Sequence, residues 1–141
     1  LDRISYLLGS GNTAILIDPV LPVGPFLAAA KRHDWTIRGI LLTHLPNEFI
    51  AGHQDGARQT GARVFVPAKA SAGFPHRAVT EATTIRVGKV QLHFLETPGQ
   101  SEDGISAIVY GGNKSVIPRL IFSRASSQDV LSWSERGPPA M

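Results

Sequence analysis

The sequence contains no cysteine. That absence excludes disulfide staples, thiolate metal sites and cysteine nucleophiles together. Aromatic residues make up only 7% and charged residues 18% of the 141 positions. No apolar run approaches the roughly 18 residues of a membrane-spanning helix, and the chain does not open on the tripartite pattern of a secretory signal peptide. The cytoplasm is the expected compartment. The glycine pairs do not form a phosphate-cradling motif ahead of a helix. Basic residues outnumber acidic ones by 14 to 11, a net charge of +3. They stand singly or in pairs, Lys31-Arg32 being the densest. With no basic stripe and no aromatic stacking platform beside one, neither nucleic acid nor membrane is an expected partner.

The 43% apolar content and the length fit one globular domain with a core of reasonable size. "ISYLLG" and "TAILIDP" are short β-type runs around Gly9-Ser10-Gly11-Asn12, a hairpin signal. "VGPFLAAAKRHDW" favours helix through its alanines and ends in basic residues that suit a helix C-terminus. "IRGILLTH" is the branched apolar run of a strand buried on both faces. Asn47 then caps an expected helix over residues 48–60 that stops at Gly61, with Phe49, Ile50, His53 and Ala57 on one side. "ARVFVP" is the next strand. "TTIRVGKVQLHFLETPG" reads as two strands turning at Gly88-Lys89, with Val90, Leu92 and Phe94 on one face. "GISAIVYGG" and "SVIPRLIFS" supply two more. The order β, β, α, β, α, β and then four strands suits a mixed sheet with helices on one face, in the α/β or α+β class.

The chain begins at Leu1 and enters a strand pattern almost at once. It ends in "SSQDVLSWSERGPPAM", which has no sustained periodicity. Residues 1–125 are read as the domain and 126–141 as a tail with one helical turn at Asp129–Trp133.

Taken in order, "SYLLG…AILIDP", "GILLTH", "ARVFVP", "TTIRVGKVQLHFLETPG", "ISAIVY" and "RLIFS" resemble the metallo-β-lactamase superfamily, in its glyoxalase II and persulfide dioxygenase branch with the rhodanese-linked relatives. The resemblance covers about residues 4–124. It implies an α/β fold of the αββα sandwich type, truncated in its C-terminal half, with metal held at one edge of two sheets. The family's ligands lie in a Thr-His-x-His-x-Asp-His loop, a Thr-Pro-Gly-His turn and a Phe-Thr-Gly-Asp strand end. A sharp loop after a strand aims several donors at one point and leaves a position open for water or substrate.

In this chain Thr43 and His44 match the first motif. Pro46, Glu48 and Phe49 stand where the second histidine, the aspartate and the third histidine belong. Thr97-Pro98-Gly99 is followed by Gln100 instead of histidine, and Phe122-Ser123 by Arg124-Ala125 instead of Gly-Asp. Proline, phenylalanine and alanine have no donor atom, and glutamine is a weak neutral ligand. Of the three ligands implied for a mononuclear iron site, only His44 remains. No catalytic, cofactor-binding or metal residue is therefore assigned, and no cofactor is expected. The alternative keeps Zn or Fe, with His44 and Glu48 completed by ligands from elsewhere.

The other candidates carry structural readings. Glu48 favours a helix start through the dipole. His53, near Asp55, is a core histidine, and His33, His76 and His93 are not gathered. Asp18-Pro19 is a turn, and Ser101 or Asp103 caps the next turn. No base accompanies a serine nucleophile. The expected function is structural or protein-binding, as a homo-oligomer or with a protein partner. Val116, Ile117, Leu120 and Ile121 lie near the contact, and Pro118 points to an edge strand.

Overall fold

A computed structural model describes residues 5–45, 51–97, 103–111 and, for the backbone, 118–122. Strands β1 (Tyr6–Ser10) and β2 (Thr13–Ile17) form the expected hairpin. Helix α1 (Gly24–Arg32) carries proline in its first turn, where a missing N–H costs nothing, and Lys31 and Arg32 in its last, where they favour the dipole. Strand β3 (Thr36–Leu41), helix α2 (His53–Thr60) and strands β4 (Arg63–Pro67) and β5 (Arg77–Val79) complete the first sheet. Its order is β1-β2-β3-β4-β5, with β2 to β5 parallel and β1 antiparallel at the edge. Strands β6 (Thr84–Val87), β7 (Val90–Glu96), β8 (Ile105–Gly111) and β9 (Pro118–Phe122) form a second, antiparallel sheet in that order.

The steps β2-α1-β3 and β3-α2-β4 advance in the same direction across the first sheet. Right-handed crossovers therefore place both helices on one face. That face holds Ala14, Leu16, Ile40, Leu42, Val64 and Val66 against Ala30, Leu27 and Ala57. The alternate residues Ile15, Ile17 and Leu41 face the second sheet, where they meet Leu92, Phe94, Ala107 and Val109. Each such side chain removed from water contributes roughly 1.5–3 kcal/mol. Helices, first sheet and second sheet thus stack in three layers. Among the described residues no helix forms the fourth layer of the αββα order, and the tail with its expected turn at Asp129–Trp133 lies outside them. No helix among the described residues is long and apolar enough to cross a membrane.

The mixed sheet with helices on one face holds β1 to β5, while β6 to β9 pair with one another in the second sheet that the αββα resemblance implies. Two expectations need correction. Strand β5 has no clear signal, since of its three residues only Val79 is buried. Helix α2 starts at His53, after an N-cap at Gly52 that has no side-chain cap bond. It cannot start at 48, because Ala51 bridges Val20 and the Gly52 N–H donates to the Pro19 carbonyl (2.8 Å). Both contacts hold the segment extended. Asn47 and residues 48–50 lie outside the described residues. The stop at Gly61 is as expected, with φ 73°.

The outer face of the second sheet holds Leu95, Ile108 and Tyr110, all buried, with Gln91, His93 and Ser106 among them. His93 is only 4% exposed. Its Nε2–H donates to Gln91 Oε1 (3.1 Å), and its ring meets Tyr110 edge-on at 5.0 Å. Burial favours the neutral ring and holds its pKa below the ordinary 6.5. The same burial raises the Tyr110 pKa above its usual range.

Two outcomes follow. Gly61 and Gly88 both have positive φ, but only Gly88 lies against a neighbour, the Ser10 carbonyl of the first hairpin. Urea denaturation should show Gly61→Ala costing about 1 kcal/mol and Gly88→Ala clearly more, about 2–3 kcal/mol, because the Ser10 backbone must also move. For His93 the folded pKa lies below the unfolded one, so unfolded chains bind the extra proton. Its contribution is complete above about pH 6.5 and is lost as pH falls below that value, with a slope of up to about 1.4 kcal/mol per pH unit. His93→Gln should remove that component from the measured pH–stability curve.

Candidate functional site

The parallel strands β2 and β3 end side by side, and the residues just beyond them build the candidate site. Asp18 follows β2 with φ 50°, a left-handed conformation that aspartate tolerates better than most residues. Its N–H donates to the Leu41 carbonyl (2.9 Å), and its carbonyl accepts from the Ser5 hydroxyl (2.7 Å). Held in that way, its carboxylate faces the start of the loop after β3. Oδ1 accepts the Thr43 N–H (2.9 Å) and Oδ2 accepts the Thr43 hydroxyl (2.6 Å). Charge-assisted bonds of this length are about twice as strong as neutral ones.

The second sheet grips the same loop from the other side. The Thr43 carbonyl accepts from the Ile105 N–H (2.9 Å), and Asp103 Oδ2 accepts from the Leu45 N–H (2.9 Å). Thr97, from the turn motif, is buried; its N–H donates to the Gly104 carbonyl (3.0 Å), and its hydroxyl lies 2.9 Å from that of Ser106. His44 sits inside this frame, 9% exposed, with Nδ1 3.3 Å from the Thr43 hydroxyl.

The frame and the donors are thus separate matters. Among the described residues no three histidine, cysteine, aspartate or glutamate side chains come together as a metal group. The Asp18 carboxylate accepts through both oxygens, and Asp103 accepts a backbone N–H. Pro46, Glu48, Phe49, Gln100, Ser101, Arg124 and Ala125 lie outside the described residues, so their chemistry is read from the sequence alone. Among the described residues, one imidazole and two hydrogen-bonded carboxylates do not make up a Zn or Fe donor set, and no reaction step is derived through either.

The remaining histidines stay apart. His53 is 1% exposed at the start of α2, its ring 4.8 Å from that of Phe74, in the core position expected of it. His33 stacks on Trp35 at 4.4 Å, and His76 meets Phe74 edge-on at 5.8 Å. Asp55 pairs with Arg58 on the exposed side of α2. Two roles go beyond the sequence reading. Asp18 is more than a turn residue, since it clamps a loop 25 positions away. Asp103 binds across to Leu45, 58 positions away. No local signal encodes either partner.

If the clamp holds the frame, removing the Thr43 hydroxyl leaves a carboxylate oxygen of Asp18 without its short bond. Thr43→Val should lower the unfolding free energy by roughly 1.5–3 kcal/mol. Thr43→Ser keeps the hydroxyl and should cost about 1 kcal/mol, the value of the lost methyl. Denaturant titration of both variants checks the difference.

Comparison with known proteins agrees with this geometry. Residues 4–117 match the family described as the metallo-beta-lactamase superfamily. A hydroxyacylglutathione hydrolase of Rhodopseudomonas palustris (strain BisB18) is 32% identical over 120 residues, covering 82% of this chain and 46% of that protein. The structure of ETHE1 from Myxococcus xanthus superposes with a TM-score of 0.68 at 30% identity, covering 74% of this chain and 48% of that one. A metallo-beta-lactamase from Staphylococcus aureus subsp. aureus COL gives 0.77 at 27% identity, with 84% and 38% covered. The chain spans about half the length of the curated relatives it matches. With the fold, the strand-end loop and the ordered motifs in agreement, the chain belongs to the metallo-β-lactamase superfamily, beside its hydroxyacylglutathione hydrolase (glyoxalase II) and ETHE1 members.

Proposed function

We propose that this chain is a non-catalytic member of its superfamily, a pseudoenzyme that keeps the metal-site frame and serves a structural or protein-binding role. The observation that carries the reading is the contrast between frame and donors. Asp18 and Asp103 bind Thr43 and Leu45 at the start of the loop, and Thr97 is held before the turn, while Pro46, Phe49, Gln100 and Ala125 occupy sequence positions where the family places ligands. His44 alone cannot hold a divalent ion against water. The cytoplasm is the compartment proposed with it.

A partner is part of the proposal, either a second copy or another protein. Strand β9 pairs with β8 and forms an edge of the described second sheet, with Pro118 as its first residue. An edge strand leaves a row of backbone donors and acceptors open to another chain. This supports association near residues 116–122.

The frame also favours a second reading, a metal-dependent hydrolase or sulfur dioxygenase of the glyoxalase II or persulfide dioxygenase type. His44 would then be completed by ligands from outside the described residues or from a partner. Turnover of a thioester or glutathione persulfide, lost in His44→Ala, would favour that reading.

Elemental analysis after purification with added Zn²⁺ or Fe²⁺ separates the two. The expected result is far less than one metal per chain, and one tightly held equivalent would overturn the non-catalytic reading. Sedimentation at micromolar concentration should show an oligomer or a complex, and a clean monomer in the absence of any partner protein would remove the self-association arm.

A further inference from the structure

The end of the sandwich opposite the Asp18–Thr43 clamp concentrates positive charge that the sequence disperses. Arg38, Arg63 and Arg86 come from β3, β4 and β6, so from both sheets. They line one groove of about 400 Å³ at the starts of β2, β3 and β4, together with Thr13, Thr36 and Thr60. From Arg38 to His44 is six residues along extended chain, roughly 20 Å. The groove is therefore separate from the metal-site frame.

Its construction is specific. Ala14 pairs with Ile37 and Ile15 with Gly39, so β3 has one extra residue here, and that residue is Arg38. A bulge bends the strand and re-aims a side chain, and bulges are rare between parallel strands. Gly39 pairs with Arg63, which places the second arginine on the adjacent strand at the same level. Arg86 reaches the groove from the second sheet, and Phe65, Ile85 and Val87 give it an apolar wall.

None of the three guanidinium groups forms an ion pair or a side-chain hydrogen bond among the described residues. No acidic residue lines this groove; Asp34 lines the adjoining one, which shares Thr36, Ile37 and Thr60 with it, while Asp55 pairs with Arg58 and Glu96 with Lys69. Three like charges in one groove repel one another unless an anion joins them. Guanidinium forks match the geometry of phosphate oxygens, and the Thr36 hydroxyl adds a donor, while those of Thr13 and Thr60 donate to Asn12 Oδ1 and the Gly56 carbonyl. The small, partly apolar groove limits the size of the ligand.

We propose that the groove lined by Arg38, Arg63 and Arg86 binds a small molecule carrying two or more phosphate-type anionic groups. This site does not depend on any metal at His44.

Calorimetric titration of the whole chain at low salt, with pyrophosphate as the probe, tests the proposal. The expected result is saturable one-to-one binding, at least tenfold tighter than that of inorganic phosphate. Arg63→Gln and Arg86→Gln should each weaken it at least tenfold, while Arg32→Gln, in the last turn of α1, should leave it unchanged. Arg38→Gln alters a bulge, so the two other variants decide the matter if it fails to fold. The proposal is overturned if pyrophosphate does not saturate, or if Arg32→Gln weakens binding as much as the groove variants. It is also overturned if a single-stranded oligonucleotide binds while pyrophosphate does not, since the charge would then serve a macromolecule.

Discussion

The two bonds from Thr43 to the carboxylate of Asp18 join the ends of β2 and β3 at the point where the chain leaves the first sheet. The ladder between β2 and β3 ends at Ile17 and Leu41, so these two bonds carry the connection between the strand ends on to Thr43. The clamp sets where His44 stands. It also presents the Thr43 carbonyl to Ile105, so the second sheet closes onto the first at this edge. The Asp103 carboxylate then fixes Leu45. In a relative with metal, the ion could share the work of ordering such a loop. Here hydrogen bonds from the protein's own residues do it.

On the non-catalytic reading proposed above, that arrangement lets the fold stand without a full ligand set. A metal loop that depends on its ion collapses when the donors are replaced, because metal binding and folding are coupled. A loop anchored by carboxylates and backbone on both sides can exchange its donors for proline and phenylalanine while the sheets keep their register. The opposite end of the sandwich shows the complementary case. There a bulge at Arg38 and the strand-start position of Arg63 bring together charge that forms no ion pair among the described residues. The two ends differ in sign and in origin.

Much of this architecture is legible in the sequence, and what is not has identifiable causes. The alternation in "VQLHFLE" puts Val90, Leu92 and Phe94 on one face, and all three pack in the core between the sheets. Gly61 and Gly88 mark their turns, since each needs a positive φ. The division into two sheets came from the family resemblance, as periodicity says nothing about which strands pair. Helix α2 starts later than its helical pattern predicts, because the bridge from Ala51 to Val20 is a long-range contact that overrides it. Asp18 was legible as a strand end but not as a clamp, and Arg38, Arg63 and Arg86 read as dispersed surface charge. Both depend on tertiary proximity between residues tens of positions apart.

The central claim is that the frame is ordered by protein groups alone. Amide hydrogen exchange at Thr43 and Leu45 tests it most directly, since their N–H groups donate to Asp18 and Asp103. Both amides should exchange slowly in the presence of a chelator, and added Zn²⁺ should leave their rates unchanged. Rapid exchange in chelator that slows when Zn²⁺ is added would contradict the account, because it would mean that a metal, and not the carboxylate clamp, holds the loop.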